Sequence, residues 1–270
     1  MKLFSVKNKK IIITGATGVL GTAMALHLAK EGAQIIIIGR TASKVEQLVE
    51  EIRSLGGKAD AFLADVTSEN HVIQAAEQIH KRYQKVDILI NLAGGNMPNA
   101  VVRPDQTIAD LSANAMKKVM DLNYQGTFIP IKHFLPLMLT NGSGNIINIS
   151  SMAASRPMTR VAGYASAKAA IDNLTKWLAV ELNQKYGPDF RVNALAPGFF
   201  LTEQNRALLT ENDGNLSQRG QQIIDHTPMR RFGNPEDLLG TLQWLCSDAS
   251  KFVTGTVVAV DGGFSAYSGV

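Results

Sequence analysis

Short apolar runs that alternate with helix-period stretches constrain this chain more tightly than any single motif. Ile11–Ile13, Ile35–Ile38, Ala59–Ala64, Val86–Ile90, Ile146–Ile149, Phe190–Leu195 and Val257–Val260 each have the length and continuity of a buried strand. Between them the apolar period changes. Val45, Leu48, Val49, Ile52 and Leu55 recur at helical spacing, with Thr41 or Ser43 expected as the cap and Gly56-Gly57 as the stop. Ser68–Tyr83 and Gly163–Tyr186 also read as helices. A long helix is expected over Asn114–Leu139, interrupted or bent by Pro130 and Pro136. Strands without polar alternation are covered on both faces, so the pattern predicts a parallel sheet with helices on each side. The expected architecture is α/β: one doubly wound domain over residues 1–270, built on a mainly parallel seven-stranded sheet. Ligands of such sheets bind beyond the carboxyl ends of the strands. Gly15, Asp65, Asn91, Ser151 and Pro197-Gly198 all follow a strand. The polar stretch 199–231 breaks the rhythm and is expected to be a substrate lid.

Charge and composition exclude several classes. The formal net charge is +4, but Lys and Arg are dispersed, with no basic run and no aromatic-basic interleaving, so nucleic acid is not an expected partner. Cys246 is the single cysteine, which rules out an internal disulfide and a cysteine metal cluster. The five histidines, His27, His71, His80, His133 and His226, show no ligand spacing, so no metal site is expected. No apolar run has signal-peptide or membrane-spanning length. These features predict a cytoplasmic setting and no membrane partner.

Chemistry concentrates at Tyr164 and Lys168, which a helix would place at i and i+4 on one face. An ammonium beside a phenol favours the phenolate and is expected to lower the tyrosine pKa, preparing it to exchange a proton near neutral pH. Ser151, thirteen residues upstream, ends the fifth strand, where its hydroxyl could hold a substrate oxygen beside the phenol.

The first strand runs into Thr14-Gly-Ala-Thr-Gly-Val-Leu-Gly21 and then a helix. Such a turn lets a pyrophosphate approach the backbone and the helix N-terminal amides, as in a Rossmann domain. Gly15, Thr17, Gly18, Leu20 and Gly21 are the expected contacts. The second strand ends in Ile38-Gly39-Arg40, without the carboxylate that would bind adenosine ribose hydroxyls. Arg40 could instead accommodate a 2′-phosphate, so NADP(H) is favoured and NAD(H) is the alternative. Asp65-Val66 is placed to meet the adenine or to cap the next helix.

With these pieces assembled, residues 8 to 264 resemble the short-chain dehydrogenase/reductase family. Asn91-Leu-Ala-Gly94 resembles a segment that supports the sheet and lines the cofactor site, which implies Asn91, Ala93 and Gly94 as cofactor neighbours. Asn123 falls at the family's catalytic asparagine, and with Ser151, Tyr164 and Lys168 completes the implied tetrad. Pro197, Gly198 and Thr202 resemble the segment that meets the nicotinamide carboxamide. Arg231–Asp237 and Thr254–Gly263 resemble C-terminal signatures. The glycine turn departs from the family pattern, because Gly18 stands one position early and Val19 occupies a common glycine position. The resemblance implies that Ser151 holds the substrate oxygen and Tyr164 transfers the proton. It also implies that Lys168 tunes the phenol and holds the nicotinamide ribose, and that Asn123 fixes a water linking Lys168 to solvent.

Gly94–Asn99, Ser150–Arg160 and Ala196–Arg206 are similar to the sugar-acid branch, especially D-mannonate oxidoreductases that reduce D-fructuronate. For a polyhydroxylated carboxylate, Arg156 and Arg206 are candidate acid clamps, and Asn96, Gln204 and Asn205 candidate hydroxyl ligands. A steroid or lipid pocket would need large apolar residues in the lid, where Leu208-Leu209 is a thin supply. Gluconate 5-dehydrogenase and 3-oxoacyl-carrier-protein reductase are the nearest alternatives. A non-catalytic dinucleotide-binding regulator is the alternative of a different class. The family resemblance also implies a homotetramer or homodimer, with Leu122–Met138 and Trp177–Val180 as candidate interface segments.

Overall fold

The computed structural model of the chain describes residues 2–202, 206, 208–211 and 213–269. Its strands are β1 (Lys10–Thr14), β2 (Gln34–Gly39), β3 (Lys58–Leu63), β4 (Ile88–Asn91), β5 (Gly144–Ile149), β6 (Phe190–Pro197) and β7 (Val257–Val260). They form one seven-stranded sheet in the order β3-β2-β1-β4-β5-β6-β7, and every pairing is parallel. The helices are α1 (Val19–Lys30), α2 (Ala42–Ser54), α3 (Glu69–Tyr83), α4 (Ala113–Met120), α5 (Gly126–Leu139), α6 (Ala162–Tyr186), α7 (Gln218–His226) and α8 (Leu239–Cys246).

Side chains alternate across each strand, so an unbroken apolar run feeds two cores. Ile11, Ile13, Ile35 and Ile37 pack with Met24, Leu28, Val45 and Leu242 on one face. Ile12, Ile36 and Ile38 pack with Val72, Ile79, Phe134 and Leu178 on the other. Each fully buried isoleucine contributes about 1.5–3 kcal/mol by leaving water. The chain moves outward from β1 to β3 and then crosses to β4, so the crevice opens between the carboxyl ends of β1 and β4. There the register aligns Thr14 with Asn91, and Asn91 with Asn148.

The prolines do not break the long helix. Pro130 and Pro136 both lie inside α5, each near one of its ends. The break is a π-turn over Asp121–Gln125, where the Gly126 N–H reaches back five residues to the Asp121 carbonyl. It accommodates one extra residue between α4 and α5, and such turns recur at functional sites. Thr41 does stand at the N-cap position of α2, but its side chain makes no capping bond. Within the polar stretch after β6, α7 is anchored by Ser217, whose hydroxyl accepts the Gly220 N–H. Among the described residues no helix is long and apolar enough to cross a membrane.

Candidate active site

Every sequence-derived cofactor residue within the first strand-turn-helix unit lies at the carboxyl edge of the sheet. Gly15 follows β1 with φ +69, and a Cβ there would stand 2.7 Å from Ala93 Cα, so only glycine permits this approach. Gly21 is likewise closed in, with a Cβ falling 2.6 Å from the Gly15 carbonyl oxygen. Gly18, the displaced glycine, is the N-cap of α1 and makes no side-chain cap. A Cβ on Gly18 would meet nothing closer than 3.7 Å, and the first turn of α1 holds no acidic residue. The turn therefore offers open space beside uncapped helix amides, which fits a pyrophosphate. Thr17 and half-buried Leu20 belong to the same turn.

Arg40 follows β2, and its guanidinium stands 3.7 Å from the Asp65 carboxylate while remaining 67% exposed. Asp65 Oδ1 accepts the Thr67 N–H at 2.9 Å and the Thr67 hydroxyl at 2.7 Å, closing the turn before α3. Burial works to raise the Asp65 pKa, but the Thr67 bonds and then Arg40 hold it below the ordinary carboxylate value. Val66 is buried against Gly126. Thr14 Oγ1 accepts the Leu92 and Ala93 N–H groups, each at 3.2 Å, and so joins the end of β1 to the segment after β4.

The implied tetrad converges below this edge. Ser151 leaves β5 and its Oγ accepts the Ala153 N–H at 3.2 Å. The Tyr164 and Ser151 side chains line the same cavity. Lys168 is buried and donates to the Ile149 carbonyl at 2.6 Å, with Nζ 5.6 Å from the Tyr164 ring centroid. Asn123 projects from the π-turn. Its Oδ1 accepts the Gly95 N–H at 3.1 Å, and its Nδ2 donates to the Gly95 and Val119 carbonyls at 2.7 and 2.8 Å. The Gly94 backbone sits between Asn123 and Lys168, since a Cβ there would fall 2.7 Å from Asn123 Oδ1 and 3.3 Å from Lys168 Nζ.

One electrostatic expectation is corrected. Burial raises the Tyr164 pKa above its ordinary value, and the neighbouring Ser151 hydroxyl only partly offsets this. The lysine does not lower it, because its ammonium is directed at the Ile149 carbonyl and is itself desolvated. Burial brings Lys168 down to about 8, against the opposing pull of Asp172 one turn along α6. Burial also raises the Asp172 carboxyl.

A buried polar chain supports the site and was not anticipated. Asn91 Nδ2 donates to Asn148 Oδ1 at 2.9 Å, and Asn148 Nδ2 to Thr175 Oγ1 at 2.9 Å. It ties β4 and β5 to α6, the helix that carries Tyr164 and Lys168. The sequence signal was Asn148 itself, a polar residue in an otherwise apolar strand, which must find a partner when buried.

Ser151 and Tyr164 form one wall of an open cavity of about 550 Å³. Gly198 and Thr202 reach it beyond β6, where the Gly198 N–H bonds to the Val260 carbonyl at 3.0 Å, holding the Pro197-Gly198 corner beside β7. Of the proposed substrate ligands, Asn96 lines the cavity. Arg156 lies outside it, because Nε and Nη2 both donate to the Ser265 carbonyl. Arg206 is exposed and does not line it either. Gln204 and Asn205 lie outside the described residues. The arginines that do line the cavity are Arg160 and Arg219. Its apolar lining is richer than Leu208-Leu209 suggested, for Met97, Met152, Met158 and Phe199 join them.

Comparison with known proteins follows this geometry. A sequence model of the short chain dehydrogenase family matches residues 9–213. An uncharacterized oxidoreductase of Bacillus subtilis, UxuB, is 46% identical over 97% of this chain and 96% of its own length. A crystal structure from Haemophilus influenza, described as a candidate D-mannonate oxidoreductase with bound NAD, is 42% identical with a TM-score of 0.91, covering 98% of each chain. The 7alpha-hydroxysteroid dehydrogenase of Escherichia coli K12 is 35% identical over 94% of this chain and 93% of its own length.

Proposed function

This chain belongs to the short chain dehydrogenase family of NAD(P)-dependent oxidoreductases, and from that premise we propose that it interconverts a ketone and a secondary alcohol on a sugar acid, D-fructuronate and D-mannonate before others. The observation that carries this reading is that the cavity reaching Ser151 and Tyr164 also holds cationic side chains and the Asn96 amide. Its similarity to the Haemophilus protein supports the same substrate.

The fold would hold the dinucleotide with its pyrophosphate at Gly15–Gly21 and its nicotinamide toward Gly94, Pro197-Gly198 and Thr202. When bound, it supplies or accepts the hydride. Ser151 would orient the substrate oxygen by a hydrogen bond. In reduction, Tyr164 would give its phenolic proton to that oxygen as the C–O π bond is lost; in oxidation the same proton returns. Lys168 would place a positive charge beneath the phenol and the ribose hydroxyls. Asn123, through its three backbone bonds, would hold the 94–95 segment against Lys168. The 199–231 segment, α7 included, would cover the substrate.

The test is turnover of D-fructuronate beside 5-ketogluconate, an acetoacetyl thioester and a 7-oxosteroid, with NADPH and NADH. Preference for fructuronate supports the reading; inert fructuronate beside rapid turnover of another carbonyl ends it. The steroid is included because Met97, Met158, Phe199 and Leu208 give the cavity an apolar side, and a hydroxysteroid dehydrogenase is among the relatives.

We propose NADP(H) as the preferred cofactor, since β2 ends without a carboxylate and Arg40 is exposed beside the crevice. Arg40→Ala is expected to lower kcat/KM for NADPH about tenfold or more, the scale of a charge-assisted hydrogen bond, and to leave NADH nearly unchanged. Equal effects on both would remove the 2′-phosphate role. Assembly into a dimer or tetramer belongs to the same proposal: Trp177 and Val180 leave α6 57% and 56% exposed, and Phe128 leaves α5 40% exposed. Trp177→Glu is expected to reduce the sedimenting mass; an unchanged mass would remove that face from the interface.

A further inference from the structure

Two arginines share the cavity above Ser151 and Tyr164, and no carboxylate among the described residues holds either one. Arg219 stands in the first turn of α7, where the helix end already makes the potential positive. Its Nη1 donates to Thr159 Oγ1 at 3.2 Å. Its Nε is buried with no hydrogen-bond partner among the described residues. Among the described residues Arg160 has no ion pair or side-chain hydrogen bond. Its backbone holds φ 75, a conformation costly for a residue with a Cβ, while its carbonyl accepts the Val102 N–H at 3.0 Å. Burial, and then the like charge of Arg160, depress the Arg219 pKa.

Unliganded, this arrangement is unfavourable. Two cations repel across a partly desolvated space, and a buried N–H lacks an acceptor. A planar anion with two oxygens removes the first of these penalties, because it neutralises the pair and accepts from the guanidinium N–H groups that face the cavity. The left-handed backbone at Arg160 sets the direction in which its side chain leaves the loop. Arg156, which with Arg206 was a candidate clamp from the sequence, has Nε and Nη2 committed to Ser265.

We propose that Arg160 and Arg219 form the carboxylate subsite of the cavity, so that the substrate is a hydroxy or oxo acid whose acid group is separate from the carbon facing Ser151 and Tyr164. The inference rests on the sugar-acid reading above and deepens it by naming the residues that select the acid. The other groups of the cavity suit such a molecule, with the Asn96 amide available to its hydroxyls and Met97 and Met158 against its carbon chain.

The experiment compares oxidation of D-mannonate and D-mannitol, which differ only in carrying a carboxylate or a hydroxymethyl group. Wild type, Arg160→Gln, Arg219→Gln and Arg219→Lys are assayed with whichever of NADP⁺ and NAD⁺ the enzyme uses. The mannonate-to-mannitol ratio of kcat/KM is expected to fall at least about tenfold in each Gln variant, through KM, and to recover in part in Arg219→Lys. Calorimetric Kd for D-mannonate on enzyme saturated with the reduced cofactor, where no turnover occurs, is expected to weaken by a similar factor. Unchanged cofactor affinity reports an intact fold. A wild type indifferent to the carboxylate overturns the sugar-acid reading together with the subsite. A wild type that prefers the acid, with variants that keep that preference, overturns the subsite alone.

Discussion

Tyr164→Phe is expected to lower kcat by about 10³-fold or more while cofactor affinity stays within about twofold of wild type. A positioned proton donor contributes about 10²–10⁴-fold, and removing this hydroxyl leaves the transition-state oxygen without its proton source. The ring survives, so the Lys168 ammonium keeps its neighbour 5.6 Å from the centroid and the helix face is undisturbed. Ser151 keeps the Ala153 N–H on its hydroxyl. Steady-state turnover and fluorescence titration with the reduced dinucleotide check the two halves separately. A variant with near wild-type kcat would remove Tyr164 from the chemistry. Loss of cofactor affinity along with turnover would make its role structural.

Lys168→Met should cost about 10²-fold or more in turnover and also change how stability depends on pH. In the cofactor-free chain burial brings the lysine from 10.5 down to about 8, so between these values the unfolded chain holds more protons than the folded one. Stability contributed by this group therefore rises with pH across that window, and the cost of the buried ammonium is fully present below it. The amount is on the order of 3 kcal/mol. Tyr164 has the opposite sign, since its raised value makes folding lose stability above about pH 10. Urea unfolding of the two proteins from pH 7.5 to 10 should give a wild type that gains on the variant as pH rises. Parallel curves would mean that the ammonium is not penalised in the free enzyme.

The sheet was legible because its central strands are mostly apolar with no regular polar alternation, and that pattern admits few other folds. The clustering of Ser151, Tyr164 and Lys168 was legible too, because a strand end and one helix face bring them together whatever the loops do. The arginines were not. Arg156 and Arg160 lie four residues apart on one loop, and the left-handed backbone at Arg160 decides which of them enters the cavity. Arg219 depends on where α7 begins, inside a polar stretch with no apolar period to fix it. The tyrosine's environment was misread for a related reason. Proximity of Tyr164 and Lys168 follows from helical spacing, but the Ile149 carbonyl that takes the ammonium comes from another element. Nor does proline content predict a π-turn, which answers to how α4 and α5 must each pack.

The placement of Asn123 depends on counting. A π-turn is an α-helix with one residue too many, and the surplus lifts a side chain off the helical stripe it would otherwise occupy. Remove one residue of this turn other than Asn123 and the ladder can close into an ordinary helix, with α4 and α5 still meeting their neighbours. The asparagine would then rotate away from Gly95, although no atom of the site had been substituted. In this stretch the decisive quantity is length: a change of side chain beside Asn123 alters a contact, whereas a change in the number of residues redirects the whole amide.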